Sequence, residues 1–197
     1  DTGLDQQRLG PGQRELGVPA RRDLEPFQYP AVVVHGDGAG LGGGSADASY
    51  MLRLLNEMFE LGLTTEQLEG YATQLGADCP FFITSRPVYA TGIGNEFHPI
   101  ALDLNSWHLV VVKPDVFVST KEAYSMVHPE KPAVTLDKKI TLPITEWREA
   151  ISNDFERGIF ALHPELADIK EKLYTLGATY AAMSGSGSAL FGLFESP

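Results

Sequence analysis

Only one cysteine, Cys79, occurs in 197 residues, so no internal disulfide can form and a reducing compartment is expected. No run approaches the roughly 20 consecutive apolar residues of a membrane span, and the first residues lack the charged-then-apolar layout of a signal peptide. Basic residues are scarce: fifteen Lys and Arg stand against 26 Asp and Glu, a formal charge of -11. That balance disfavours extended contact with nucleic-acid phosphates or an anionic membrane. The five histidines, at 35, 98, 108, 128 and 163, include no i, i+4 pair and no neighbouring cysteine pair. A zinc site therefore gains no support, and no metal-ligating residue is assigned. There is no repeat of 20 to 50 residues and no low-complexity tract. What remains is a soluble, cytoplasmic protein, expected as a monomer or homodimer, whose charge still permits a phosphorylated small molecule to bind. Its 43% apolar content suffices for a buried core.

Glycine, by contrast, is concentrated. Residues 38 to 47 read Gly-Ala-Gly-Leu-Gly-Gly-Gly-Ser-Ala-Asp, and six of the ten carry no side chain or a lone hydroxyl. Without a Cβ, successive N–H groups can turn inward and approach an anion closely. Tyr29 to His35 reads as a strand before this stretch. An amphipathic helix follows, with Met51, Leu52, Leu55, Met58 and Phe59 on one face and Gly62 as a left-handed cap. A helix start adds unpaired N–H groups and the positive end of its dipole. Tight turns and close backbone packing also use glycine, but the strand and helix on either side favour a phosphate cradle over a linker.

Its type can be narrowed. Gly44-Ser45-Ala46 stands where a Walker A loop needs Gly-Lys-Ser/Thr, so this is not a P-loop. Gly38-x-Gly40-x-x-Gly43 fits the Rossmann pattern, yet the chain is still helical where the second strand and its ribose-binding acid should fall. A second loop of the same character, Met183-Ser184-Gly185-Ser186-Gly187-Ser188, occurs near the other end. A tight hairpin turn is the competing explanation for it.

Between the loops, Thr64 and Gln67 form a capping box opening a helix through Leu68, Tyr71, Ala72 and Leu75 to Gly76. Asp78, two residues before Pro80, reads either as an N-cap or as a functional carboxylate. Val88 to Thr91 and Glu96 to Leu102 read as a hairpin, and 109–112 as a buried strand. Ser119 opens a helix with Glu122 as its capping-box partner. Pro129, Pro132 and Pro143 mark a connection of about 20 residues, long for a compact domain. Helical pieces are expected at 147–151 and 155–160, and a full helix at 164–176, with Leu166, Ile169, Leu173 and Leu176 facing inward. Strands at 178–183 and 189–194 close the chain. Helices and hairpins without a regular strand-helix-strand cadence imply an α+β fold.

The wording around residue 38 resembles the nucleotide loop of the GHMP small-molecule kinases. Leu75-Gly76-Ala77-Asp78-Cys79-Pro80-Phe81-Phe82 is similar to the family's catalytic stretch, and Ala90-Thr91-Gly92-Ile93-Gly94-Asn95 to its hairpin. Gly177-Ala178, the 183–188 loop and Phe191-Gly192-Leu193-Phe194 resemble its third motif and closing strand. The resemblance implies a two-lobed fold: an ATP-binding lobe over 1–105 like the second domain of ribosomal protein S5, with residues 1–30 unassigned, and a ferredoxin-like lobe over 106–197. It implies ATP and magnesium as cofactors and Asp78 as the group that accepts the acceptor's proton. Gly38, Ala39, Gly40, Leu41, Gly42, Gly43, Gly44 and Ser45 would hold the nucleotide phosphates. Ser45 would offer its hydroxyl to a phosphate or magnesium, or cap the helix. Within the family the nearest resemblance implies a cytidylyl sugar alcohol of isoprenoid precursor synthesis as acceptor, against Thr120, Tyr124, Gly185, Ser186 and Gly187. Another acceptor alcohol, or a nucleotide-binding fragment without catalysis, are the alternatives. The family's opening Lys-x-Asn-Leu motif does not occur, and Gly36-Asp37 replaces a loop-entry proline. The chain is therefore expected to be a fragment, or its first segment to be rearranged.

Overall fold

The computed structural model describes residues 40–130 and 132–196. The strand expected over 29–35 and the loop positions Gly38 and Ala39 lie outside the described residues. Three helices open the described chain: α1 (Gly43–Met58), α2 (Thr65–Leu75) and the single turn α3 (Phe81–Thr84). They meet around Leu68, Ala72, Cys79 and Ile83, with Ala48 and Leu52 packed against them. Helix α2 starts as its sequence requires. Thr64 accepts from the Gln67 amide while Gln67 accepts from the Thr64 amide, so two orphan donors are satisfied reciprocally. Ser49, fully buried on α1, donates to the Cys79 carbonyl at 2.6 Å and fixes the turn that carries Asp78.

β1 (Val88–Thr91) and β2 (Glu96–Pro99) form an antiparallel hairpin with Thr91 opposite Glu96. β3 (His108–Val112) leads into α4 (Thr120–Met126), α5 (Leu136–Lys139), α6 (Ile144–Ala150), α7 (Glu156–Leu162) and α8 (Pro164–Thr175). The chain ends in β4 (Tyr180–Met183) and β5 (Leu190–Phe194), which with β3 make an antiparallel sheet ordered β3-β5-β4. Both faces of β4 are covered, which explains its unbroken apolar run. Ala181 and Met183 join a core with Val118, Ile159, Leu166 and Leu173. Tyr180 and Ala182 point the other way, against Trp147 and Leu193.

Several local expectations are corrected. α1 ends at Met58 with Phe59 as C-cap, before Gly62. Its buried line runs through Ala48, Ser49 and Leu52, whereas Met51, Leu55, Met58 and Phe59 are exposed among the described residues. Small side chains let α2 and α3 approach, so packing chose the face that apolar spacing did not. Tyr71, Leu75 and Leu176 are likewise exposed. Among the described residues β3 is an edge strand with Leu109, Val110 and Val111 exposed rather than buried, and Leu109 and Val111 line an open apolar cavity of about 530 Å³ beside Trp107 and Phe191. Ser119 is the N-cap of α4, but its side chain makes no capping hydrogen bond. Gly42, not Ser45, caps α1. The proline-marked connection contains α5.

Candidate active site

The first glycine loop enters α1 through two left-handed residues, Gly40 at φ +68° and Gly42 at φ +66°. The first helical bond runs from the Ala46 amide to the Gly42 carbonyl at 2.9 Å. The amides of Gly43, Gly44 and Ser45 therefore have no partner within the helix and face the loop side. The second loop joins β4 to β5: the Ser184 amide donates to Ala189 at 2.8 Å, and the Gly187 amide to Ser184 at 3.0 Å.

The fold brings these loops into contact. Ser184 Oγ donates to the Gly40 carbonyl at 2.6 Å, and a Cβ on Gly40 would sit 2.1 Å from the Ser184 carbonyl oxygen. No side chain other than hydrogen fits at residue 40. At Gly42 a Cβ would lie 2.8 Å from the Phe82 ring.

Asp78 stands in the turn between α2 and α3. The N-cap of α3 is Pro80 and the helix has no side-chain cap, so Asp78 is not spent on capping. Its carboxylate lines a cavity of about 420 Å³ whose wall also includes Gly40, Gly42, Gly94 and Ser184. Among the described residues that carboxylate accepts no hydrogen bond and joins no ion pair. Phe81, Phe82 and Phe97 form an apolar side of the same cavity, the first two edge-to-face at 5.1 Å. Among the described residues no three His, Cys, Asp or Glu side chains converge as a metal site.

The other expected site residues separate into two sets. Thr120 Oγ1 lies 3.4 Å from Ser186 Oγ, so the start of α4 meets the tip of the second loop. Tyr124 does not line the Asp78 cavity; it is exposed and packs edge-to-face on Phe155 at 4.9 Å. Gly94 was not assigned from the sequence. Its φ of +98° carries the β1–β2 turn to Asp78, whose carboxylate lies 3.6 Å from where a Cβ on Gly94 would be. Asn153 and Glu156 were also missed. Asn153 Nδ2 donates to the carbonyls of Met183 and Gly185, and Glu156 accepts from the Met183 amide at 2.8 Å. The available signal was an Asn-Asp-Phe-Glu run at a helix start, which local reading assigns to capping.

Comparison with known proteins gives one direction. The model of the GHMP kinases N terminal domain matches residues 30–86, and that of the GHMP kinases C terminal matches 142–197. A 4-diphosphocytidyl-2-C-methyl-D-erythritol kinase of Parabacteroides distasonis is 50% identical over 193 residues, 95% of this chain and 71% of that protein. The enzyme of the same name from Bacteroides thetaiotaomicron is 54% identical over 158 residues, 80% of this chain and 58% of its own length. A crystal structure of 4-(cytidine 5'-diphospho)-2C-methyl-D-erythritol kinase superposes with a TM-score of 0.68 at 35% identity, covering 80% of this chain and 58% of that one. The chain thus spans between 58% and 71% of the length of these proteins.

Proposed function

The chain belongs to the GHMP kinases, and on that premise we propose that it transfers the terminal phosphoryl group of ATP to the 2-hydroxyl of 4-diphosphocytidyl-2-C-methyl-D-erythritol. Relatives at about half identity carry that name. The observation that carries the chemistry is the Ser184–Gly40 contact, which sets two side-chain-poor loops beside the cavity holding Asp78.

Phosphoryl transfer asks for positioning and charge stabilisation more than covalent chemistry. Gly38 through Ser45 are assigned to the nucleotide phosphates, and of these the amides at the start of α1 lack helical partners. Glycine at 40 and 42 lets the loop close against the Ser184 carbonyl and the Phe82 ring, where a Cβ would collide, so its backbone rather than side chains faces a bound phosphate chain. ATP supplies the phosphoryl group, and this chain's residues bind and orient. Asp78 holds the acceptor hydroxyl and takes its proton as the bond to phosphorus forms. Gly185, Ser186 and Gly187, with Thr120 against Ser186, keep bulk away from the acceptor, and Tyr124 offers an aromatic face for its cytosine. Among the described residues no three His, Cys, Asp or Glu side chains form a metal site; a magnesium ion would neutralise phosphate charge, with the Ser45 hydroxyl as its candidate side-chain ligand.

The nucleotide lobe is assigned to 1–105 and the second lobe to 106–197. No helix among the described residues is long and apolar enough to cross a membrane; action in the cytoplasm is part of the proposal. An ADP-release assay with the cytidylyl substrate, homoserine and mevalonate tests the reading. Turnover of the cytidylyl substrate alone supports it; turnover of another alcohol instead overturns the substrate, and none with any acceptor overturns the catalytic reading.

A further inference from the structure

Among the described residues β4 is the outer strand of its sheet, in the order β3-β5-β4. Its last residue, Met183, therefore presents its N–H and C=O away from β5, just before the Ser-Gly-Ser-Gly-Ser turn begins. Unpaired backbone groups at an edge are costly when water is excluded, and neither is left bare. Glu156, buried at the start of α7, accepts the Met183 N–H on Oε1 at 2.8 Å. Its Oε2 is held by Lys170 Nζ of α8 at 2.6 Å, which fixes the carboxylate and balances its charge. Asn153 donates from one Nδ2 to two carbonyls, Met183 at 2.9 Å and Gly185 at 2.7 Å, and its Oδ1 accepts the Phe155 amide at 2.9 Å.

The Asn153 amide thus spans from the strand into the turn, across the residue, Ser184, that donates to Gly40. The two glycines of the turn have many conformations to lose, and its serines are held only through their hydroxyls, Ser184 on the Gly40 carbonyl, Ser186 against Thr120 and the buried Ser188 on the Val116 carbonyl. A rigid clamp from a neighbouring helix start supplies the order that the turn cannot. We propose that Asn153 and Glu156 are positioning residues that hold the 184–188 turn in one shape, and through Ser184 hold the Gly40 loop against it. The catalytic consequence rests on the kinase reading above; the mechanical one does not.

Two measurements on the full chain separate these. Hydrogen–deuterium exchange of peptides spanning 183–189 should quicken at least about tenfold in Asn153→Ala, with the α2 peptide unchanged, as expected for loss of a doubly shared hydrogen bond. Asn153→Asp keeps the volume but sets negative charge against two carbonyl oxygens, and should loosen the same peptide if the alanine variant fails to fold. Unchanged protection of 183–189 in a folded variant overturns the proposal.

With the cytidylyl substrate, Asn153→Ala should lower kcat by about 10- to 100-fold while KM for ATP moves less than about threefold. Glu156→Gln, which still accepts the Met183 amide, should recover most of what Glu156→Ala loses. Equal losses in both Glu156 variants, or a full kcat in Asn153→Ala, would show that the clamp does not act on turnover. If the unaltered chain releases no ADP with any acceptor, the kinase reading fails, and the exchange measurement alone decides whether the clamp exists.

Discussion

The Ser184 hydroxyl donates to the Gly40 carbonyl at 2.6 Å across 144 residues of chain. That single bond joins the loop ahead of α1 to the turn between β4 and β5. Asp78, held by the turn after α2, lies on the wall of the cavity beside the joint.

Replacing Asp78 with asparagine keeps the shape of that wall and removes the proton acceptor. Turnover should fall roughly 10²- to 10³-fold, while ATP affinity, measured by equilibrium titration, stays within about threefold. Loss of binding and turnover together would assign Asp78 to the nucleotide instead.

Gly40→Ala places a methyl 2.1 Å from the Ser184 carbonyl oxygen, at a φ of +68° that L-residues avoid. The neighbour is backbone, so the loops must separate. KM for ATP should rise at least about tenfold, a penalty of about 1.4 kcal/mol, and the melting temperature should drop. Gly70→Ala on α2 is the control, because a Cβ there meets nothing within 4 Å and the residue lies outside the loop.

Tyr180 carries a pH signature. Burial first, then the negative charge of Glu156, holds its hydroxyl well above the ordinary tyrosine range. The folded state therefore binds this proton more tightly than the unfolded chain does. Its contribution is intact below the unfolded value of about 10 and is lost as pH rises toward the higher folded one. Denaturant midpoints measured from pH 8 to 11 should fall above about pH 10, and Tyr180→Phe should flatten that fall. An equal fall in the variant would refute the assignment.

The Thr64 and Gln67 capping box is a purely local test. Thr64→Ala removes one of its two bonds and should lower stability by about 0.5–2 kcal/mol in urea titration. ADP release at saturating substrate should be unaffected.

Local chemistry wrote much of this fold into adjacent residues. The capping box of α2, the glycine loops, the hairpin at 92–95 and the paired closing strands could each be read from neighbours, because turns, caps and strand alternation depend on side chains a few positions apart. The motifs also carried the family. The buried face of α1 could not be read this way, since Ala48 and Ser49 are inside only because α2 and α3 come close. Nor could β3, whose apolar run reads as interior although its neighbours leave one face open.

By itself, then, the sequence determined where most helices and strands fall and where glycine concentrates, and supplied Asp78 with the wording of a catalytic stretch. Only the tertiary structure decided that Gly40 touches Ser184, that Gly94 stands against Asp78, and that Asn153 and Glu156 grip the edge of β4. Those contacts join residues from 16 to 144 positions apart, where one-dimensional spacing carries no distance and only the packing of sheet and helices brings the chain together.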